Sequence, residues 1–435
     1  MHESELRPAG KRRLIFTPGP LRGTIRVPGD KSVSHRALIL AASSSEPVTI
    51  RNLNPGRDVS ATASALLAMR VMIRQSQDDT VIVNGTLLHD PQNTVDCMNS
   101  GSTARMLVGV CAGANLRARL DGDDSLRRRP MEPVAAQLRA FGARIETTNG
   151  TLPANVQGTS QAQTRDFILL APSAQVKTAL LLAGVFGRVP VTITGDQGSR
   201  DHTERLLRYW GADLESARER VELRTGPQSF APVDVVGDFS AAAFFIVAAT
   251  VAPGSSLRIE GVGVNSTRTG LLDALQAMGA NIRLENLREQ SGEPIADISV
   301  ESAGLRGVSI GADIALRAID EIPVLAVAAA FAEGETKITG VRDLRNKESD
   351  RIAAITRLLS AAGIAVQALP DGIAIGGGTP RATGATVETQ HDHRTAMAAA
   401  VLAAGAGKLA IDDDASIDVS FPKFKEVLRT AQMPA

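Results

Sequence analysis

Residues 29–42 read GDKSVSHRALILAA: a polar opening of Gly, Asp, Lys and Ser, then a run of Ala, Leu and Ile. The same grammar returns as NSGSTARMLVGVCAG from Asn99, SAQVKTALLLAG from Ser173 and GDFSAAAFFIVAA from Gly237. It returns again as DEIPVLAVAAAFAEG from Asp320 and HDHRTAMAAAVLAAG from His391. Each copy predicts a helix buried on all sides, opened by a polar turn whose Ser or Asp caps the free N–H groups. The copies recur about every 65 to 80 residues, a period long enough for a complete βαβ-type unit.

A second element runs between them, of the form LxxxG followed at once by a strand. It reads VAAQLRAFGARIE from Val134, RLLRYWGADLE from Arg205, LLDALQAMGANIRLE from Leu271 and AAITRLLSAAGIAVQ from Ala353, with a degraded copy, ALLAMRVMI, from Ala65. Leu at helical spacing gives an amphipathic helix and Gly marks its end. One buried and one half-exposed helix, six times over, predicts an α/β chain of six units. Three units per domain suit the size of a single core. VPGDK near Pro28 and VVGDF near Gly237 are matching turn-like segments, and three repeats lie between them. The chain is therefore expected to cross between two domains twice, giving one domain of residues 29–237 and a second of 1–28 plus 238–435.

Composition narrows the function. The chain has 435 residues, 43% hydrophobic, and its 47 basic and 47 acidic side chains cancel. Zero net charge opposes a general nucleic-acid or anionic-membrane binder, and 3% aromatics opposes a base-stacking platform. Cys97 and Cys111 form no metal-ligand or disulfide pattern and suit a reducing cytosol. The N-terminal MHESELRPAGKRRLIF has no apolar core, and Glu3 and Glu5 oppose a transit segment, so it reads as a short solvated leader. The longest apolar runs hold about a dozen residues against the roughly 20 of a membrane span. A soluble, cytoplasmic protein is expected.

Chemistry is expected where the helix starts converge, because a helix N-terminus attracts anions. Lys31, Arg36, Arg105, Lys177 and Arg394 stand at or just after these starts, and Arg129, Arg200, Lys347 and Arg351 lie in polar connectors. Any one of them reads as a solvated helix-end charge. As a set they oppose the helix dipoles unless an anion binds, which points to a ligand with several negative groups. Glu348, Asp320 and Asp58 stand among these cations. Their carboxyls should be held low by the cations, which suits a general base or an ion-pair organiser, and a general acid once water is excluded. For Asp320 and Asp58 a helix N-cap is an equal reading.

Several chemistries lack their motif. There is no GxxxxGK[ST] loop, and no GxGxxG follows a strand. His391 and His393 have no third ligand in a metal pattern and read as capping or anion contacts. Ser102 and Ser173 lack a His and Asp arrangement for nucleophilic catalysis.

At these residues the sequence resembles the 5-enolpyruvylshikimate-3-phosphate synthase family. PGDKSVSHRALIL, NSGSTAR, LRRRPM, SAQVKTALLLAG, SRDHTERLL, DEIPVLAVAAAFAEG, LRNKESDRIAA, HDHRTAMA and SFPKF carry the resemblance, in order from about residue 20 to 425. It implies two domains of three βαβαββ repeats each, an inside-out α/β barrel, joined by a two-strand hinge with the site in the interdomain cleft. It also implies a monomer that needs no metal or organic cofactor. The implied reaction moves the enolpyruvyl group of phosphoenolpyruvate to the 5-hydroxyl of shikimate 3-phosphate, through a tetrahedral intermediate with release of phosphate. These small-molecule substrates supply the polyanionic load that the cations require, and no nucleic acid or membrane partner is implied.

Carried over residue by residue, Lys31, Ser32 and Arg36 match the family's PGxKSxxxR contacts, with Lys31 reaching both substrates. Ser173, Ala174, Gln175 and Arg200 match the shikimate 3-phosphate side. Gly101, Arg129, Arg351 and Arg394, with Gln175, match the phosphoenolpyruvate side. Asp320 and Lys347 match the residues around the reacting hydroxyl, with Asp320 as base and Glu348 as acid. Three positions depart from the family's usual pattern. Ser102 replaces a common Thr, His202 sits near a position that is Tyr in one branch, and Val419 and Ser420 stand where many members have Lys. No cation is transferred to that last point, and Lys423 does not substitute. Gly101 is the small residue whose enlargement is associated with excluding glyphosate, so inhibition competitive with phosphoenolpyruvate is expected. Two rivals are weaker. The sister transferase acting on UDP-N-acetylglucosamine uses a loop cysteine where this chain has GDDSLRRRPM, and a DNA-encircling clamp needs cations spread along a channel. Ligand-driven domain closure is expected to accompany binding.

Overall fold

The computed structural model describes residues 13–77, 79–85, 87–161 and 165–432. Most of the expected leader, residues 1–12, lies outside them. The six repeat segments form the helices Lys31–Ala41, Gly101–Gly113, Ala174–Gly187, Phe239–Val251, Ile322–Ala330 and His393–Ala406. Beyond their first turns they carry almost no charge, so no face is suited to water, and all thirteen residues of Phe239–Val251 are buried. Small residues let them approach closely. A Cβ on Gly109 would lie 2.2 Å from the carbonyl oxygen of Ala179, and one on Gly113 2.3 Å from that of Ala183.

Five of these helices open as expected: Asp30, Ser100, Ser173, Asp238 and Asp392 accept hydrogen bonds from backbone N–H groups of the first turn. Ile322–Ala330 differs. Glu321 precedes it in helical conformation with no side-chain cap, so Asp320 lies one residue further out and is not an N-cap. Asp58 is not one either, because Gly56 occupies the cap position of Arg57–Ala68 and Asp58 sits in its first turn.

The half-exposed helices are Arg57–Ala68, Glu132–Phe141, His202–Tyr209, Gly270–Ala277, Arg351–Ser360 and Phe424–Gln432. Gly142, Gly211, Gly279 and Gly363 follow four of them with positive φ, the left-handed turn that lets a strand start immediately. In the degraded copy Arg70 takes that conformation at φ 67°, at a cost of roughly 1 kcal/mol or more relative to Gly.

Five four-stranded sheets share one pattern. A first strand runs parallel to a second, which pairs antiparallel with one arm of a hairpin; Val95–Asp96, Arg117–Asp121, Thr151–Gln157 and Arg144–Thr148 are an example. The first body closes on itself, since Val233–Asp234 supplies the opening strand of its first sheet, with Val233 beside Ile50. The second closes through its N-terminal strands. Arg22–Arg26 opens the sheet of Ser256–Gly263, and Leu14–Phe16 completes a three-stranded sheet with Leu409–Ile411 and Thr386–Val387.

Two hydrophobic cores result. One is built from residues between Val33 and Val236, with Ile295 added, and the other from Phe16–Val27 together with residues from Phe239 onward. The two connections lie side by side. The Asp30 N–H donates to the Val236 carbonyl at 2.7 Å and the Asp238 N–H to the Pro28 carbonyl at 2.8 Å, flanking an antiparallel bridge between Gly29 and Gly237. Only glycine fits at Gly29, where a Cβ would fall 1.8 Å from the Asn52 carbonyl oxygen. No helix among the described residues is long and apolar enough to cross a membrane.

Candidate active site

The buried helices of both bodies point their starts into one cleft, which encloses a cavity of about 760 Å³. Lys31, Ser32 and Arg36 line it from the first helix, Gly101 and Ser102 from the second, and Ser173, Ala174 and Gln175 from the third. Arg129 and Arg200 enter from connectors of the same body. Asp320, Lys347, Glu348 and Arg394 face them from the other body. The site residues carried over from the family resemblance therefore converge, with one exception. Arg351 does not line the cavity; its side chain is 1% exposed and sits behind the two carboxylates.

Asp320 is the focus of charge. Arg200 lies 2.6 Å from its carboxylate, Arg351 3.3 Å, Lys347 3.7 Å and Arg394 3.8 Å. Arg394 also donates to the Asp320 carbonyl at 2.7 Å. Burial pushes the Asp320 carboxyl up, but Arg394, Lys347, Arg200 and Arg351 outweigh it and hold it well below the usual carboxylate range. Glu348 is arranged likewise, 2.6 Å from Arg351 and 3.7 Å from Arg129. Burial again opposes ionisation, and Arg351, Arg129 and Lys31 overcome it, so this carboxyl too is held well below its usual range. Two of these contacts, Arg200 with Asp320 and Arg129 with Glu348, join the bodies across the cleft. A third is Ser125, which donates to the Glu348 carbonyl at 3.2 Å.

The other predicted residues are held by neutral or single partners. Lys31 pairs with Asp58 at 2.9 Å. Arg36 is buried and donates to Thr203 at 2.7 Å, Thr178 at 2.9 Å and the Ser32 carbonyl at 2.8 Å; burial lowers its pKa to about 10. Gln175 receives a hydrogen bond from Arg105 at 3.0 Å and donates to Ser102 at 3.3 Å. Arg129 is pinned by the carbonyl and side-chain oxygens of Asn99 and by Ser125.

Sequence reasoning missed several members of this constellation. Asp392 caps its helix and takes Arg351 at 2.9 Å, yet it was hidden between two histidines. His393 is buried, and burial with Lys31 and Arg394 nearby lowers it to about 3, so it is neutral. His391 instead stands largely exposed on Asp413. Lys177, read as one of the ligand cations, is buried in a 2.7 Å pair with Glu204 and does not line the cavity. Glu321, Ser240 and Arg268 left no sequence signal.

A family model described as EPSP synthase (3-phosphoshikimate 1-carboxyvinyltransferase) matches residues 15–428. The chain is 44% identical over 414 residues to a 3-phosphoshikimate 1-carboxyvinyltransferase of Anaeromyxobacter sp. (strain Fw109-5), covering 94% of this chain and 96% of the relative. The chain belongs to the EPSP synthase family. It superposes on the solved EPSP synthase of Acinetobacter baumannii with a TM-score of 0.85 at 37% identity, covering 97% of this chain and 98% of that one. It shares its fold with the enolpyruvyl transferase NikO of Streptomyces tendae, at TM-score 0.76 and 19% identity, again over 97% and 98% of the chains. The protein is thus a transferase of the shikimate pathway, moving the enolpyruvyl group of phosphoenolpyruvate to shikimate 3-phosphate.

Two details fit this EPSP synthase chain. Cys97 and Cys111 are buried in the first core, away from the cleft, and burial pushes the Cys111 thiol up to about 12, so neither is poised as a nucleophile. Val419 ends the short turn Ala415–Val419, and neither it nor Lys423 lines the cavity.

Proposed function

We propose that the cleft performs the transfer by addition and then elimination, with Asp320 and Glu348 exchanging the protons. Asp320 takes the proton of the 5-hydroxyl, the oxygen attacks C2 of phosphoenolpyruvate, and Glu348 protonates the C3 methylene to a methyl group. In the second step the C–O bond to phosphate breaks as Asp320 gives its proton to the leaving phosphate and the methyl returns a proton to Glu348, leaving the enolpyruvyl ether and phosphate. The observation that supports this reading is the crowding of four cations around Asp320, with Glu348 held between one of them, Arg351, and Arg129. Lys31, Ser32, Arg36, Ser173, Ala174, Gln175, Arg200 and Lys347 hold shikimate 3-phosphate. Lys31, Gly101, Arg129, Gln175, Arg351 and Arg394 serve phosphoenolpyruvate, Arg351 by backing the carboxylates. When substrate anions draw on Arg129, its hold on Glu348 weakens and the proton affinity of Glu348 rises, which lets it act as an acid.

The same reading makes residues 29–237 and 1–28 plus 238–435 two bodies that close over their ligands, in a monomeric, cytoplasmic enzyme that uses no cofactor and no macromolecular partner. Glyphosate should compete with phosphoenolpyruvate. The decisive experiment is phosphate release with both substrates and with each alone. Release only with both, and a product bearing the enolpyruvyl ether, is expected; release with either alone overturns the assignment. Solution scattering should show compaction on adding shikimate 3-phosphate, and unchanged dimensions would remove the closure step.

A further inference from the structure

Arg268 lies between the strand Ser256–Gly263 and the helix Gly270–Ala277, far in sequence from every residue assigned above. Its side chain is 3% exposed, yet its guanidinium meets three acids. It binds Asp30 through a short ion pair, Asp238 at 3.4 Å and Glu321 at 3.9 Å, and donates to Ser240 at 2.8 Å. Burial opposes its charge, but Asp30, Asp238 and Glu321 raise its pKa above the usual arginine value.

Two of those partners sit at the crossings between the bodies. Asp30 caps the Lys31 helix through the Val33 N–H at 2.9 Å. Asp238 caps the Phe239 helix through the Ser240 N–H at 2.7 Å and also accepts from the Lys31 N–H at 3.1 Å. The other two partners are shared with Arg394. Ser240 accepts from Arg394 at 3.3 Å, and Glu321 lies 3.6 Å from the same guanidinium. The Ser240 hydroxyl donates in turn to Glu321. A hydroxyl has one donor and two acceptor sites, and here all three are used. Ser240 is therefore a saturated node with the Arg268 and Arg394 guanidinium groups on either side.

We infer that Arg268 is a positioning residue for Arg394, tying that cleft cation to the hinge through Ser240 and Glu321. Glu321 is buried and needs a cation. With Arg268 in place Glu321 is shared between two guanidinium groups at the cavity wall, and Arg394 keeps its hydrogen bond to the Asp320 carbonyl. Without the Arg268 fork, Glu321 and Ser240 draw on Arg394 alone and pull it from the cleft. A lysine keeps the charge but cannot span Asp30 and Ser240 together, because it is a point donor and not a planar fork.

The inference rests on the assignment of Arg394 to phosphoenolpyruvate, and the test separates the two. Steady-state kinetics on the full chain would compare Arg268→Lys, Ser240→Ala, the double variant and Arg394→Ala. Arg268→Lys and Ser240→Ala are each expected to raise KM for phosphoenolpyruvate about tenfold, the scale of one charge-assisted hydrogen bond, with KM for shikimate 3-phosphate changed less than about twofold. The double variant should cost no more than the worse single one, since both cut one path. Multiplying effects, or a loss of melting temperature with both KM values unchanged, would overturn the proposal. If Arg268→Lys fails to fold, Ser240→Ala alone decides, and an unchanged phosphoenolpyruvate KM sinks it. If Arg394→Ala raises that KM and the other variants do not, only this inference falls. If Arg394→Ala leaves it unchanged, the assignment of Arg394 falls first and the inference with it.

Discussion

Adding one methyl group at Gly101 should weaken phosphoenolpyruvate selectively. A Cβ built there would lie 2.6 Å from Nη1 of Arg105 and 3.5 Å from Nη1 of Arg129. The second distance is ordinary contact; the first is too short to persist, so Arg105 must move. Its guanidinium holds Gln175 at 3.0 Å and the Pro130 carbonyl at 2.8 Å, and a swing away from Gly101 breaks at least one of these bonds. A hydrogen bond to a charged group contributes about 1.5 kcal/mol or more, which corresponds to about tenfold in affinity. Because the displaced atom ends a flexible side chain and not a backbone segment, Gly101→Ala should leave the melting temperature within about 2 °C. Phosphate release measured with one substrate varied and the other saturating gives both KM values. The expected result is a rise of about tenfold for phosphoenolpyruvate and at most a few-fold for shikimate 3-phosphate. In an Arg105→Ala background the methyl meets nothing closer than 3.5 Å, so Gly101→Ala should then cost little. Equal increases in both KM values, or an undiminished penalty in the Arg105→Ala background, would refute the steric argument.

Replacing Asp320 with Asn, or Glu348 with Gln, should lower kcat by about 10² to 10⁴ while calorimetry still detects shikimate 3-phosphate binding; retained turnover in either variant removes that residue from the proton transfers. The buried His393, at about 3 in the fold against 6.5 in the unfolded chain, gives stability a pH slope. Below pH 6.5 the unfolded chain binds a proton that the fold refuses, so stability falls as pH drops toward 3, by up to about 1.4 kcal/mol per unit. Asp320 and Glu348, lowered in the fold, add to the loss once pH falls below their unfolded values. Denaturant midpoints measured across this range should slope less for His393→Asn, and an identical slope would show that this histidine is not the source.

The repeat architecture was legible because its signal is compositional. A run such as AAAFFIVAATV has no polar face, so it can only be interior, and five of the six helix starts carried their Ser or Asp cap in plain view. The half-exposed helix Phe424–Gln432 was missed because its segment, FKEVLRTAQ, lacks the Gly that marks the other copies. The closing strand Val233–Asp234 is two residues long, and its partner Ile50 lies far back in the chain, so no periodicity could reveal it. The cations of the cleft were visible as a set, but their arrangement was not. Lys177 and Arg351 look like their neighbours in sequence, and only burial separates the one locked to Glu204 and the other standing behind the carboxylates from those at the cavity wall. Arg268 had no signal at all, since every partner it binds comes from a different segment.

A carboxylate surrounded by Arg200, Lys347, Arg351 and Arg394 is stable as an anion and, for that reason, a poor base. The chemistry proposed for Asp320 therefore needs the three of them that line the cavity, Arg200, Lys347 and Arg394, to be occupied elsewhere at the moment of transfer. The substrates provide that occupation, because their phosphates and carboxylates compete for the same guanidinium and ammonium groups. Each cation drawn from Asp320 to a substrate raises the proton affinity of Asp320, so the base strengthens only when the cleft is filled and phosphoenolpyruvate alone meets a weak one. This coupling has a kinetic signature. The acid limb of kcat reports the group in the substrate complex and that of kcat/KM the free enzyme, so the kcat limb should lie at higher pH. Arg200→Ala removes the nearest cation, at 2.6 Å, and should move the kcat/KM limb upward toward the kcat limb. Limbs that already coincide in the parent enzyme would mean that substrate binding does not tune Asp320, and the base would have to be sought elsewhere in the cleft.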